Sequence, residues 1–587
     1  MYRAPVKDLR FVLDELLAVQ SLPFADYSPE LAESVLSEAA RFAETVLDPL
    51  NQSGDREGAR WTPEGVVTAK GFKDAYRQFA QGGWTQLGAE SQYGGQPAPH
   101  ALSTAVTEMW ASANLSFKLC PMLTHGAVEA LRLAGSKALR ERFLPKMVSG
   151  EWTGTMVLTE PQAGSDLAQV RTRATPQGDH YRLFGQKIFI TWGDHDYTDN
   201  IVHMVLARID GAPAGVKGIS LFVVPKVLVR EDGTLSERNE VRCVSIEHKL
   251  GIHASPTCVL AYGDRQGAVG YLIGEPNRGL EYMFIMMNAA RLAVGVEGYA
   301  VAERAFQRAL EWARTRVQGR PAKDAAPGAT IIGHPDVKRM LLTMKSGTEA
   351  MRSLGLYAAF QLDLAEHHTE TQVRVDAQAR ADLLIPIVKG WSTELGNQLA
   401  GTGVQVHGGM GFIEETGAAQ YVRDARITTI YEGTTGIQAN DLLGRKLGRD
   451  KGGAMSALLS DMQRELAALD ETNEDLRVTK AATLEAVGLL REATQSVLKA
   501  LAATPDRALA VAVPYLHLAG FTAGGWLLTR SAALACGNLK AADRDFYAAK
   551  IQTARFYAEQ VLPNAVALAR AVKNGTTSAA APDAALI

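Results

Sequence analysis

The sequence has 587 residues, 47% of them apolar, so it is long enough for several packed domains and apolar enough for each to fold. Its 61 basic and 64 acidic residues leave a net charge of -3, which excludes a global field that attracts nucleic acid or anionic lipid. The four cysteines are too scattered for a zinc cluster or a disulfide framework, so we expect no metal site and a reducing compartment.

The first residues, Met1 to Leu17, mix charged and apolar side chains and lack the continuous apolar core of a secretion signal. We therefore expect a cytoplasmic protein with an N-terminal helical segment over residues 1–35. From Leu31 to Val46 apolar residues recur every three or four positions, which is the stripe of an amphipathic helix. A helical domain is predicted over residues 36–152.

Short runs rich in β-branched and aromatic residues follow, each bounded by Gly, Pro or Asp, and they predict a barrel-like β-domain over residues 153–275. The clearest runs are Lys187–Thr191, Ile201–Leu206 and Ile219–Val224. No GxGxxG loop joins a strand to a helix, so any nucleotide must be held without that fingerprint.

Helical periodicity returns over residues 276–447, interrupted between Gly319 and Pro335. An Ala- and Leu-rich helical block is predicted over residues 448–573, and a flexible tail over 574–587. The element order predicts a mainly α protein with a central β-domain.

One stretch, Ala508 to Thr529, has no charged residue and is long enough to span a bilayer. Its Pro, His, Thr and Gly content makes it only mildly hydrophobic, and Gly520-x-x-x-Gly524 is typical of close helix packing. We interpret it as a buried helix pair and expect no stable membrane insertion.

A chemically informative segment runs from Arg426 to Gln438. Glu432 is a lone carboxylate between an apolar run and a glycine, and Thr435-x-x-Gln438 resembles a capping box that begins a helix. Apolar neighbours would raise the pKa of such a carboxyl and make it a base near neutral pH. The alternative is an ordinary first-turn acid that interacts with the helix dipole.

Three further segments stand in a fixed order with this one: Leu158-Thr-Glu-Pro-Gln-Ala-Gly-Ser-Asp-Leu167, Phe189-Ile-Thr191 and Gly401-Thr-Gly-Val-Gln-Val-His-Gly-Gly-Met-Gly-Phe412. Each is weak alone, but in order and spacing the four resemble the acyl-CoA dehydrogenase family over residues 30–447. The resemblance implies FAD between a helical N-domain, a β-domain and a four-helix C-domain, with an extra helical domain behind them.

The resemblance also implies a set of FAD contacts. Thr191 is expected near flavin N5, Phe189 stands where many members have Trp, and Gly436 stands where many have Gln. The residues implied in FAD binding, some of them across a homodimer, are Met156, Leu158, Thr159, Gly164, Ser165, Phe189, Ile190, Thr191, Arg316, Gln318, His334, Gln405, Gly408, Gly409, Thr434 and Gly436. Without the family match, the Arg316 turn is equally well a solvated basic helix end.

For the acyl-CoA substrate, the implied contacts are Ser165, Asn288, Arg291, Tyr431 and Gly433. One branch of the family keeps its catalytic Glu just before the arginine, but this chain has Ala290 there. The resemblance therefore implies that Glu432 removes the α-proton of the thioester, that hydride passes from Cβ to flavin N5, and that an electron-transferring flavoprotein accepts the electrons.

The stretch from Tyr2 to Leu16 and the block after residue 448 are absent from shorter members. Both resemble a larger bacterial subgroup that includes fatty acyl-CoA and 3-(methylthio)propanoyl-CoA dehydrogenases. A role in fatty acid β-oxidation and lipid metabolism is expected, with acyl length left open. Two alternatives remain: an acyl-CoA oxidase that uses O₂, and a DNA-binding protein on the same fold. The acidic residues of the extra block, such as Glu465 and Glu485, do not favour DNA binding.

Overall fold

The computed structural model describes residues 1–23, 27–321, 328–540 and 542–577. The chain divides into two compact units. The first contains residues 1–40, 99–112 and 291–587, and the second contains residues 41–98 and 113–290. The two units are called here the helical unit and the sheet unit.

The α-helices of the described residues are α1 (Val6–Arg10), α2 (Pro29–Phe42), α3 (Asp48–Glu57), α4 (Phe72–Gln81), α5 (His100–Ala113), α6 (Leu115–Ala134), α7 (Lys137–Val148), α8 (Gly279–Thr315), α9 (Pro335–His367), α10 (Thr371–His407), α11 (Ala418–Arg426), α12 (Thr435–Asp441), α13 (Gly453–Ala467), α14 (Glu474–Ala503), α15 (Pro505–Leu509), α16 (Ala512–Gly537), α17 (Arg544–Phe556) and α18 (Asn564–Asn574).

The strands are β1 (Arg60–Thr62), β2 (Gly65–Val67), β3 (Trp152–Val157), β4 (Arg173–Gln177), β5 (His180–Thr191), β6 (Asn200–Ile209), β7 (Ile219–Pro225), β8 (Val227–Val229), β9 (Leu235–Arg238), β10 (Val241–Ile246), β11 (Thr257–Tyr262) and β12 (Ala268–Ile273).

The sheet unit is built on an eight-stranded sheet in the order β10-β11-β5-β12-β7-β6-β3, with β4 paired to β5 and β6. β3 and β4 run parallel to β6, and the other neighbours are antiparallel. The three runs predicted as strands lie within β5, β6 and β7, so those predictions are confirmed. Their inward side chains, including Leu183, Val205 and Phe222, form a fully buried core.

The hairpin β1–β2 is a difference from the sequence prediction, which gave only helix over residues 36–152. Pro63 and Glu64 connect the two short strands, and Gly65 has a φ of +143° that favours glycine. The indole of Trp61 donates to the carbonyl of Cys243 at 3.0 Å, so the hairpin is fixed to β10 by tertiary contact. Strands of three residues are too short for a periodic signal.

The helical unit contains the long helices α9 and α10, which pack along each other, and most of α8. α8 ends at Thr315 and α9 begins at Pro335, so the predicted interruption is confirmed; residues 322–327 lie outside the described part. After α10, the part of the chain up to residue 447 contains two short helices, α11 and α12. The turn between them carries Glu432.

The structure differs from the predicted helix pair over the uncharged stretch, Ala508 to Thr529. This stretch contains the end of α15 and most of α16, a single 26-residue helix that is buried along most of its length. Gly520 and Gly524 both face the ring of Trp391, as the spacing predicts for close packing. Among the described helices, none combines the length and apolarity that a bilayer crossing requires.

Replacing Gly520 with alanine is expected to destabilise the helical unit. The added Cβ would lie 2.2 Å from Cγ of the fully buried Trp391, so a helix or an indole must move. Such overpacking lowers the free energy of unfolding by about 1–3 kcal/mol or more. Calorimetry measures the loss, and Gly537→Ala at the end of the same helix is the matched control, because a Cβ there meets no atom within 4 Å. Equal melting temperatures for the two variants would contradict the packing argument.

The domain boundaries predicted from the sequence, at residues 35, 152, 275, 447 and 573, stay predictions. The predicted tail lies outside the described residues apart from 574–577.

Candidate functional site

Glu432 lies on a turn with two consecutive left-handed residues. Its φ is +54°, and that of Gly433 is +90°. The left-handed region is unfavourable for a residue with a Cβ and persists where the surroundings fix it. At Gly433 this φ favours glycine, and a Cβ there would lie 2.8 Å from Nε2 of Gln438, so the amide of Gln438 would have to shift.

The helix that follows is capped one residue earlier than the sequence indicated. Thr434, not Thr435, is the N-cap of α12, and its hydroxyl accepts from the amide of Ile437 at 3.3 Å. Gln438 does not close a capping box. Its Nε2 instead donates to the carbonyls of Glu432 at 3.1 Å and Gly433 at 3.2 Å. The capping-box prediction was therefore wrong, because the side-chain amide of Gln438 bonds the carbonyls of the turn instead of the N-cap residue.

A buried lysine reaches the same turn from α10. Nζ of Lys389, a residue with no exposed surface, donates to the carbonyl of Gly433 at 2.6 Å. Burial lowers the pKa of Lys389 to about 8, against the attraction of Glu432 and Glu297. The two carboxylates thus favour the charged form of the ammonium.

The electrostatics of the turn make Glu432 a group that titrates near neutrality. Burial raises the pKa of Glu432 to about 7, and the nearby carboxylate of Glu297 adds to the rise. The cations Lys389 and Arg291 oppose it. A carboxyl with a pKa close to the working pH is suited to general base catalysis.

The polar residues around the turn are held in pairs. Tyr431 donates from its hydroxyl to Glu297, whose side chain is buried, and burial and that carboxylate hold the pKa of Tyr431 well above its usual value. Thr435 donates to Glu394 at 2.6 Å. Tyr431 is therefore a neutral hydroxyl at physiological pH.

Arg291 forms a buried ion pair. It is 4% exposed, and its Nη1 lies 3.0 Å from Oδ2 of Asp441. Its Nε has no hydrogen-bond partner among the described residues. Asn288, on the same helix, is half-buried. The predicted contacts of both residues with CoA stay predictions.

Sequence reasoning missed Lys389, Glu297, Glu394 and Asp441. A signal was present for Lys389 and Glu297, because each is a single charge within an otherwise apolar helical run. Their distance from Glu432 along the chain hid the relation. The pairing partners become apparent only when α8, α10 and the turn are packed in the helical unit.

In the sheet unit, the loop after β3 is anchored by a buried ion pair. Nζ of Lys187 lies 2.9 Å from Oε1 of Glu160 and also donates to the carbonyl of Leu158 at 2.8 Å. Glu160 accepts from the amides of Arg171 and Thr172. Burial alone would raise the pKa of Glu160, but Lys187 and these donors lower it to about 2.

The residues of this loop that were predicted to bind flavin differ in exposure. Met156 is buried on β3, Leu158 and Thr159 are half-buried, and Gly164 and Ser165 are exposed. The carbonyl of Thr159 accepts from the amide of Ile188. The loop is thus held against β5 while its glycine and serine remain open to solvent.

The end of β5 is irregular at the residues predicted to lie beside the flavin. Pairing with β11 changes register between Cys258 and Leu260, and Phe189 opposite has a φ of +57°. The bulge turns the Phe189 ring outward, leaving it 59% exposed, whereas Ile190 is buried. The hydroxyl of Thr155 donates to the carbonyl of Thr191 at 2.7 Å and fixes the strand end. Bulges of this kind redirect side chains beside functional sites.

The residues predicted to contact the adenosine and pyrophosphate side lie on the surface of the helical unit. Trp312 of α8 stacks on His407 of α10 with centroids 5.3 Å apart, which brings the two predicted segments together. The guanidinium of Arg316 lies 5.8 Å from the Trp312 ring. Nε2 of His334 is 2.9 Å from the carbonyl of Gln318. Of the other residues predicted there, three are exposed: Gln405, Gly408 and Gly409.

Four family models match consecutive parts of the chain. They are the acyl-CoA dehydrogenase N-terminal domain over residues 29–151, its middle domain over 155–264, its C-terminal domain over 277–447, and the "acetyl-CoA dehydrogenase C-terminal like" model over 458–583. The matches follow one another in chain order.

Curated relatives cover almost the whole chain. The sequence is 49% identical over 578 residues to 3-methylmercaptopropionyl-CoA dehydrogenase of Ruegeria pomeroyi, which covers 96% of each chain. It is 35% identical over 591 residues to a broad-specificity linear acyl-CoA dehydrogenase of Mycobacterium tuberculosis, again covering 96% of each. The crystal structure of an acyl-CoA dehydrogenase complexed with FAD from Bacillus anthracis has the same fold, with a TM-score of 0.75, 20% identity, and coverage of 100% of this chain and 94% of that one.

Proposed function

The chain belongs to the acyl-CoA dehydrogenase family of flavoprotein oxidoreductases, and from this premise we propose that it converts an acyl-CoA thioester to the trans-2-enoyl-CoA with Glu432 as the base. The predicted family and the predicted fold class, mainly α with a central β-domain and extra C-terminal helices, are confirmed. The observation that carries the proposal is a carboxyl on a rigid left-handed turn with a pKa of about 7.

The side chains of this chain fit FAD as the proposed cofactor. The exposed ring of Phe189 offers an aromatic face at the end of β5. A Cβ at Gly408 or Gly409 would meet no atom within 4 Å, so a ligand has room to approach the backbone there. Arg316 is exposed and offers a forked phosphate donor. When bound, FAD supplies the acceptor for the hydride that leaves Cβ.

The proposed work of the chain is to bind the thioester, to orient it and to remove one proton. The carboxylate of Glu432 takes the α-proton, which a simple thioester gives up poorly. The backbone N–H of Glu432 has no acceptor among the described residues and is proposed to donate to the thioester carbonyl as negative charge develops there. Base and donor then belong to one residue, so the fixed turn aligns both.

The proposed substrate class is a short acyl-CoA, including the thioether 3-(methylthio)propanoyl-CoA. The support is the 49% identity with a relative named for that thioester. The proposed substrate class is tested with four thioesters, 3-(methylthio)propanoyl-, butanoyl-, octanoyl- and palmitoyl-CoA, by measuring anaerobic flavin bleaching and enoyl-CoA formation. Because each methylene is worth roughly 10–200-fold in a fitted pocket, we expect kcat/KM to fall at least about 10-fold from the first two to the last. Bleaching without an enoyl product, or bleaching by none of the four, would contradict the proposed reaction.

We also propose a homodimer, an electron-transferring flavoprotein as acceptor, a role in β-oxidation and a cytoplasmic location. The dimer is supported by exposed apolar side chains after α10, where Phe412 is 86% exposed and Ile413 is 44% exposed. Such a cluster is typical of a surface that another chain covers.

A further inference from the structure

Two donors converge on the carbonyls of the Glu432–Gly433 turn from different helices. Lys389 of α10 contributes one hydrogen bond to Gly433, and Gln438 of α12 contributes one each to Glu432 and Gly433. Both side chains are completely buried. Since a non-glycine residue keeps a positive φ only where its surroundings fix it, these three bonds account for the left-handed backbone of the turn.

Burial of Lys389 requires compensation, because an ammonium loses its hydration in the protein interior. Three carboxylates raise the pKa of Lys389 and so favour its charged form: Glu432 from the turn, Glu297 from α8 and Glu394 from α10. Arg291 of α8 acts in the opposite direction. Arg291, the other cation that acts on Glu432, is paired with Asp441. Lys389 differs from Arg291 because the lysine ammonium donates a hydrogen bond to the backbone of the turn itself.

We infer that Lys389 is a positioning residue for the base: with Gln438 it holds the Glu432 turn in its left-handed form, and its charge favours the ionised carboxylate that accepts the proton. This inference rests on the proposed role of Glu432. The two contributions are separable, because Gln438 supplies hydrogen bonds without charge, whereas Lys389 supplies both.

The test compares the pH profiles of kcat/KM for the wild-type holoenzyme and Lys389→Met. In the wild type the rate rises with pH as Glu432 loses its proton, with an acid limb near pH 7. Loss of the nearby cation disfavours the carboxylate, so the acid limb of Lys389→Met is expected to move to higher pH by about 1 unit. We also expect kcat at the plateau to fall at least about 10-fold, with KM changed less.

Gln438→Met separates the hydrogen bonds from the charge. We expect it to lower kcat at least about 10-fold while leaving the acid limb in place. The matched control is Lys480→Met, in the C-terminal block. Lys480 is 7% exposed and also donates to backbone carbonyls, those of Ala467 and Leu469. The charged groups that act on Glu432 are Lys389, Arg291 and Glu297, so loss of Lys480 should leave the pH profile unchanged.

An unmoved acid limb in Lys389→Met overturns the inference, as does the same shift in Lys480→Met. If Lys389→Met does not fold, Lys389→Gln takes its place, because it keeps a donor and removes the charge, and its acid limb must move. If Lys389→Gln also does not fold, an undiminished kcat in Gln438→Met overturns the inference. The proposed function fails separately: Glu432→Gln would then bleach its flavin normally, whatever the Lys389 variants do.

Discussion

Glu432→Gln is expected to purify with its flavin and to lose reduction by acyl-CoA, with the rate of anaerobic bleaching about 10²–10⁴-fold below that of the wild type. Glutamine preserves the shape of the side chain but cannot accept the α-proton. The backbone conformation should survive, because its carbonyl contacts come from Gln438 and Lys389. Stopped-flow absorbance of the oxidised flavin measures the rate.

Two further variants make this result specific. Glu485→Gln removes an exposed glutamate in α14 and should bleach at the wild-type rate. Glu297→Gln removes the buried carboxylate that raises the pKa of Glu432, so its acid limb should move to lower pH while turnover persists. If bleaching persists in Glu432→Gln and is lost in Glu297→Gln, the base is Glu297 and the proposal is wrong.

Local patterns predicted much of the fold because they depend on neighbours in the chain. The runs that became β5, β6 and β7 alternate with the pleat or fill a buried sheet, and the break after α8 is marked by glycine and proline. The hairpin β1–β2 was missed because its strands are too short for a pattern and are held by a tertiary bond from Trp61. The uncharged stretch was assigned a helix pair on its length and polarity, whereas the structure has one long helix, α16, packed against Trp391.

The candidate site was likewise predictable only in part from the sequence. Glu432 was proposed because its segment and three others, in order and spacing, resemble the family, whereas its neighbours alone also fitted an ordinary first-turn acid. The positive φ that follows from the packing was not predictable. Lys389 is 44 residues from Gly433 and Glu297 is 134 from Tyr431, so no local pattern relates them to the base. The N-cap was misplaced by one residue because Gln438 has a competing partner in the turn. The order of the motifs predicted the proposed base, and long-range packing determines its pKa.

Arg352→Met is expected to be the most destabilising single change in the helical unit. Arg352 of α9 is 2% exposed and bonds two carboxylates, with Nη2 at 2.6 Å from Glu108 of α5 and 2.8 Å from Glu303 of α8. Burial alone would lower the pKa of Arg352, but the two carboxylates outweigh it and raise the pKa further above its usual value. Removing one partner of a buried ionic group leaves uncompensated charge and lowers the free energy of unfolding by about 3–5 kcal/mol.

The pH dependence distinguishes this loss of charge from loss of packing. Burial already raises the pKa of Glu108 to about 6 despite Arg352, and without the arginine it must rise further. An acid whose pKa is raised in the folded state destabilises the protein fully above that pKa, and the effect shrinks as pH falls from there to the pKa of the unfolded state. The stability deficit of Arg352→Met should therefore be larger at pH 8 than at pH 5, as measured by melting temperature. Glu108→Gln in the same background should restore part of it. Arg278→Met, which breaks exposed ion pairs with Glu275 and Glu281 and a contact of the guanidinium with the Tyr282 ring, should change the melting temperature little. A deficit independent of pH would mean that the methylenes of Arg352 contribute more than its charge.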